Sequence, residues 1–161
     1  MMNSLPFPGA AQSARESFHP DLTVACVIQR QGRFLLVEER VRGELVLNQP
    51  AGHVEAGESL IEAALRETLE ESGWEVRLTG LVGIYQWQAP DGIHFLRFAF
   101  AAEPLRHRPE QPLDAGIERA LWLAPDELRA APARLRSPLV LRAVEDALGA
   151  EPVPLERVKA L

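Results

Sequence analysis

Ser59 and Glu62 stand three residues apart at the head of an apolar stripe made by Leu60, Ile61, Ala64, Leu65 and Leu69, and Gly73 stands at its foot. Serine followed by glutamate at that spacing is a capping box, in which each side chain takes up a backbone N–H that the first helical turn leaves without a partner. Glycine just past the last turn accepts the left-handed conformation that ends a helix. The spacing predicts a helix over Leu60–Ser72. One side of that helix is apolar and must be covered by another layer of structure.

The flanking segments supply that layer. Residues 22–28 are apolar and β-branched, as in a strand buried on both faces, and residues 33–38 beyond Gln31-Gly32 make its hairpin partner. Glu44–Asn48 is a short strand stopped by Gln49-Pro50, because proline has no N–H for a ladder, and a loop follows up to Ser59. Trp74–Gln88 alternates as one or two strands broken near Thr79-Gly80. Pro90-Asp91-Gly92 turns the chain into a strand over residues 93–101. Residues 106–115 form a loop, Ile117–Leu123 a strand, and Pro125 and Pro138 each open a helix. Hairpins mixed with a few helices, without regular βα units, predict an α+β fold with a mixed sheet and flanking helices.

With 161 residues and 47% apolar content, the chain makes one domain, placed at residues 18–149. Residues 1–17, rich in Pro, Ser, Gly and Ala, are expected to be a flexible tail, and 150–161 a C-terminal tail. A net charge of -6 argues against a nucleic-acid polymer or an anionic membrane as partner. No segment approaches the ~18 apolar residues of a membrane helix, and no basic start precedes an apolar stretch, so a cytoplasmic setting is expected. The lone Cys26, within LTVACVI, is expected to be a small buried hydrophobe.

Glu67, Glu70 and Glu71 fall at i, i+3 and i+4, on one face of the helix. Like charges so placed cost roughly 0.2–0.5 kcal/mol per pair, and solvent, an arginine or a bound cation must compensate. A solvated acidic face is the plain explanation of three glutamates alone. Hard divalent cations such as Mg²⁺ favour oxygen ligands of this kind. The wider spacing separates the two: Gly52, five residues, Glu58, seven residues, Arg66-Glu67, two residues, Glu70-Glu71, one residue, Gly73. At average residue frequencies those positions coincide by chance roughly once in a million chains.

This pattern resembles the box of the Nudix hydrolases, with Thr68 and Trp74 standing where the family places bulky aliphatic residues. The resemblance implies an α/β/α sandwich, Mg²⁺ or Mn²⁺ as cofactor, and hydrolysis of a diphosphate linked to another group. Carried over by position, Glu67, Glu70 and Glu71 ligate metal, joined by the carbonyl of Ala51. Arg66 orients a carboxylate through its spacing to Glu70, Glu58 fixes the loop, and Gly52 and Gly73 serve the backbone. The partner so implied is a small phosphorylated molecule, with the protein a monomer or homodimer.

TVACVI, LNQPAGHVEAGE, YQWQAPDG, FLRFAF and LRSPLV resemble the NudJ-type phosphatase subgroup of that family. This resemblance implies release of inorganic phosphate from nucleoside di- and triphosphates or thiamin-precursor pyrimidine diphosphates. The alternatives are a pyrophosphohydrolase of nucleotide sugars, dinucleotides or oxidised nucleotides, and a non-catalytic nucleotide-binding regulator. Glu118 stands where many such proteins carry a base or extra ligand, and is equally placed for a surface salt bridge. Tyr85 and Trp87 share a strand face and either stack a base or fill the core. Arg97, a charge within an apolar strand, needs solvent, a carboxylate or a phosphate, and Arg136 is similar. Asn48 and Gln49 either read a base or sugar edge or cap a strand, and His53 is a candidate for positioning water or a plain hydrogen-bonding residue.

Overall fold

Val24, Cys26 and Ile28 point to one side of strand β1 (Asp21–Arg30) and Val27 to the other, and a different helix covers each side. This period-two division organises the computed structural model, which describes residues 17–160. The expected N-terminal tail, apart from Ser17, lies outside the described residues.

The other strands are β2 (Arg33–Val41), β3 (Glu44–Asn48), β4 (Ala51–His53), β5 (Trp74–Gln88), β6 (His94–His107) and β7 (Ile117–Leu123). The helices are α1 (Leu60–Ser72), α2 (Pro125–Ala130) and α3 (Pro138–Gly149). β1 lies between β4, antiparallel, and β6, parallel, and β6 carries β5 on its far side. β2 pairs antiparallel with β3 and β7, completing a seven-stranded mixed sheet. Ala63 and Ala64 of α1 pack on Val24, Cys26 and Phe100, while Val140, Ala143 and Val144 of α3 pack on Val27, Phe34 and Ala99. The result is the expected sandwich of helices about a mixed sheet. Cys26 is fully buried, its thiol pushed up to about 12 by burial, which suits an inert core residue.

Three local expectations are corrected. The β1–β2 hairpin pairs only at its turn, Gln29 with Phe34 and Arg30 with Arg33, because further along that edge β1 pairs with β4 and β2 with β3. The loop expected after Pro50 contains β4, which lies against β1 after the Pro50 carbonyl accepts the Cys26 N–H at 3.0 Å. β6 runs on to His107 rather than ending near residue 101. Its Pro104 is tolerated where the β5 register shifts between Glu75 and Val76.

The expected break near Thr79-Gly80 appears as a register shift within continuous β5. A Cβ on Gly80 would strike Pro152, and Leu81 exchanges two backbone hydrogen bonds with Val153, at 2.7 and 2.8 Å. The segment assigned to the C-terminal tail is therefore docked there, with Leu155 and Val158 packed on the core. No helix among the described residues is long and apolar enough to cross a membrane.

Candidate active site

The capping box forms as its sequence requires: Ser59 Oγ accepts from the Glu62 N–H at 3.2 Å and Glu62 returns the bond to the Ser59 N–H at 2.8 Å. Gly73 ends α1 with φ 69°. α1 is thereby fixed at both ends, with Arg66, Glu67, Glu70 and Glu71 on known turns.

Arg66 is the hub. Its guanidinium donates to both oxygens of Glu58, at 2.6 and 3.0 Å, to Glu67 at 2.8 Å, to Glu70 at 3.0 Å and to the His53 carbonyl at 3.1 Å. The contact with Glu70 matches the expected spacing, but the two-pronged partner is Glu58. Glu58 also accepts the Glu55 N–H at 2.7 Å, so it ties loop to helix. Arg66 is the main reason the Glu58 carboxyl lies below its ordinary range.

Glu67 and Glu70 each place a carboxylate oxygen within 4.8 Å of one another and of Asp114. Asp114 comes from the loop before β7, held by its N–H to the Glu70 carbonyl at 3.0 Å. It was missed in the sequence because an aspartate in an irregular loop has no periodicity to mark it. Burial raises the Glu67 carboxyl above its usual range, against the pull of Arg66, and the charges of Glu70 and Asp114 add to the rise. A Cβ on Gly52 would land on the Glu67 carboxylate, so only glycine lets this carboxylate sit where it does.

Glu71 stands apart from that trio. Its carboxylate accepts the Ala51 N–H at 2.8 Å, and burial pushes it up to about 8 despite that bond. The Ala51 contact seen is thus through its N–H to Glu71. Three clustered carboxylates, one of them set in a glycine-made recess, suit a hard divalent cation such as Mg²⁺ or Mn²⁺. Glu67, Glu70 and Asp114 would hold it.

Beside the trio, across Gly52, lies a cavity of ≈ 320 Å³ lined in part by Glu39, Asn48, His53, Trp87, Arg97 and Arg136. Arg97 is partly buried. Its Nε reaches Thr23 Oγ1 at 3.3 Å, while its Nη1 is buried with no partner among the described residues. Burial first, then the nearby Arg136 charge, lowers the guanidinium to about 10. Trp87 stacks on Phe95 with centroids 5.7 Å apart, forming one wall.

Three candidates, Gln49, Tyr85 and Glu118, fall elsewhere. Gln49 donates to the Val140 carbonyl at 2.7 Å and is buried between β3 and α3, away from the cavity. Tyr85 turns inward, its hydroxyl donating to Asp146 at 2.9 Å. Glu118 faces out and pairs with Arg40 at 2.9 Å, so of its two expected roles the structure shows the salt bridge. Exposed His53 pairs with Asp21 at 3.3 Å, its ring at the cavity rim. Arg136 lines the cavity and faces Glu39 at 3.5 Å. Glu39 was also missed; it keeps the regular β2–β3 register opposite Val46, and only its tertiary neighbours Asn48 and Arg136 bring it to the cavity.

A family model described as NUDIX domain matches residues 18–144. Proteins named Phosphatase NudJ from Escherichia coli strain K12 and from Shigella flexneri are each 43% identical over 141 residues, covering 88% of this chain and 92% of theirs. The solved structure of a NUDIX hydrolase from Nitrosomonas europaea superposes with a TM-score of 0.86 at 43% identity, over 89% of this chain and 98% of that one.

Proposed function

The chain belongs to the Nudix hydrolases, enzymes acting on phosphoanhydride bonds, and from that premise we propose a Mg²⁺-dependent phosphatase. Its substrates are nucleoside di- and triphosphates or pyrimidine diphosphates of the thiamin-precursor type, and its small product is inorganic phosphate. Mn²⁺ substitutes for Mg²⁺. Likeness to the proteins named Phosphatase NudJ supports that product. Residues 18–149 form the catalytic domain. The substrate is a small molecule met in the cytoplasm, consistent with a net charge of -6 that repels polymeric nucleic acid.

The observation that carries this proposal is the meeting of the Glu67, Glu70 and Asp114 oxygens with a cavity lined by Arg97, whose Nη1 is buried without a partner among the described residues. A divalent cation, when bound, neutralises phosphate charge and favours attack by water at phosphorus. Arg66 keeps Glu67 and Glu70 aimed by occupying one side of each carboxylate. Arg97 and Arg136 receive phosphate oxygens through charge-assisted hydrogen bonds. Glu70, the most exposed of the Arg66-bound carboxylates at 37%, accepts the proton of the attacking water. The bond from the terminal phosphorus to the bridging oxygen breaks, and the shortened nucleotide leaves as an anion.

Product analysis with GTP and GDP tests this. Inorganic phosphate as the sole small product from both, dependent on Mg²⁺, is expected. Pyrophosphate from GTP would overturn the phosphatase assignment, and no turnover of any phosphorylated substrate would favour a binding role.

A further inference from the structure

Asn48, which lines the cavity beside the acidic trio, carries a second buried polar atom, Oδ1, without a partner among the described residues. Asn48 is 7% exposed, and its amide nitrogen donates to Glu39 Oε1 at 3.3 Å. A carboxylate only accepts, so Glu39 decides which end of the amide it meets, and the reverse orientation would set two acceptors together. The orientation of Glu39 is itself built in. The regular β2–β3 pairing, with Glu39 opposite Val46, places it at the cavity, where it faces Arg136 at 3.5 Å. Glu39 thus positions Asn48 so that a buried acceptor is left for something else. An unpartnered buried acceptor is unfavourable, and native structures seldom keep one without a ligand or water to meet it.

The neighbouring wall limits what that ligand is. Trp87 and Phe95 give the same cavity an aromatic side, and Trp87 with Arg136 continues into an adjoining hollow of ≈ 800 Å³. A flat ring laid on Trp87 has one edge directed at the surrounding polar atoms. The charged donor of that lining, Arg97, is assigned above to phosphate. The remaining acceptor therefore calls for a ring that donates.

We propose that Asn48, positioned by Glu39, selects substrates whose organic group is a heteroaromatic ring bearing an exocyclic amine, which stacks on Trp87 and donates to Asn48 Oδ1. The inference rests on the proposed function for the phosphate end of the substrate only. A site built to receive a donor rejects the analogue that lacks it, because its own acceptor is then left unpaired.

The test is binding, kept apart from turnover. Calorimetric titration in Mg²⁺ compares GMP with IMP, and AMP with purine riboside monophosphate, each pair differing by one amine. At least one amine-bearing member should bind tighter on the order of tenfold. In Asn48→Ala that ratio should collapse to about one. Glu39→Gln keeps the shape but lets the Asn48 amide turn over, and should reduce the ratio as well, which a purely structural role would not do. Equal binding within both pairs overturns the inference, as does a preference that survives in both variants or undetectable binding of all four probes. Phosphate release from GDP, measured alongside, decides the phosphatase reading separately: turnover with no amine preference sinks the inference alone.

Discussion

Arg66 grips Glu58 with two nitrogens, Nη2 to Oε1 at 2.6 Å and Nε to Oε2 at 3.0 Å, and spends its other three N–H groups on Glu67, Glu70 and the His53 carbonyl. All five guanidinium donors are engaged. One cation therefore joins the loop before α1 to two carboxylates on it. Lysine, a point charge with three donors, cannot copy that fork. Arg66→Lys is expected to cost on the order of 2 kcal/mol, since hydrogen bonds to charged groups contribute about 1.5–3 each. For a chain of this size that is a fall of roughly 4–8 °C in the metal-free melting temperature, read by calorimetry. Phosphate release from GDP should drop with it, because Glu67 and Glu70 lose their aim. An unchanged melting temperature would show that the network contributes nothing.

Asp114 separates a three-carboxylate site from one built on α1 alone. Removing even an outer partner of a metal ligand typically costs 10–100-fold in affinity or activity, and a direct ligand should cost at least as much. Glu67→Gln and Glu70→Gln are each expected to lower kcat/KM for GDP by about 100-fold or more, with circular dichroism unchanged. Asp114→Asn should raise the Mg²⁺ concentration giving half-maximal activity by about 10-fold or more. An Asp114→Asn enzyme with wild-type Mg²⁺ dependence would remove Asp114 from the site.

Gly52→Ala probes the recess directly. The new methyl would overlap the Glu67 carboxylate, so either β4 or Glu67 must move. Overpacking of this sort costs about 1–3 kcal/mol. Activity should fall further than stability does, since the displaced group is one of the acidic trio. Full activity in Gly52→Ala would mean that Glu67 can work from another position.

What was legible in the sequence was local. Leu60–Ser72 declares itself because Ser59, Glu62 and Gly73 act within one turn of the residues they cap. Arg66, Glu67 and Glu70 follow from helix geometry alone. Asp114 and Glu39 do not, because each reaches the site through tertiary contacts: Asp114 through a loop bonded to the end of α1, Glu39 through Asn48 and Arg136. β4 was hidden for the same reason. Three residues carry no pattern, and its partner β1 lies far back in the chain. Glu118 and Asp114 sit in one short stretch, but Glu118 is the residue passed over where β7 shifts register against β2, and it turns to Arg40.

Glu71 predicts a pH dependence. Its carboxyl rises from the ordinary 4.5 to about 8, chiefly through burial, so between those values the folded chain holds a proton that the unfolded chain has lost. Stability then falls as pH rises across that window. The metal-free protein should melt at progressively lower temperature from about pH 5 to pH 8. Stabilisation by Mg²⁺ should grow over the same range, because a cation favours the ionised carboxylates around it. Glu71→Gln should flatten the metal-free slope. If the slope persists in that variant, another group is responsible.

Glu38 shows the opposite sign and lies in the frame rather than the site. Its side chain is 6% exposed and accepts from Arg119 on β7 at 2.8 Å and from Arg134 at 2.7 Å. The Arg119 hydrogen bond is the first cause holding this carboxyl below its ordinary range, with burial opposing it. A depressed folded value means that the stabilisation is present above the unfolded pKa and is lost as pH falls through the folded one. Both arginines are half exposed or more, so their contribution is discounted for solvent. Glu38→Gln should then cost about 2 kcal/mol at pH 7, measured by urea unfolding. The difference between variant and wild type should shrink as pH drops below about 4, where the unfolded wild-type chain takes up the proton first. A difference that stays constant down to pH 3 would mean that the shape of Glu38, and not its charge, joins β2 to β7.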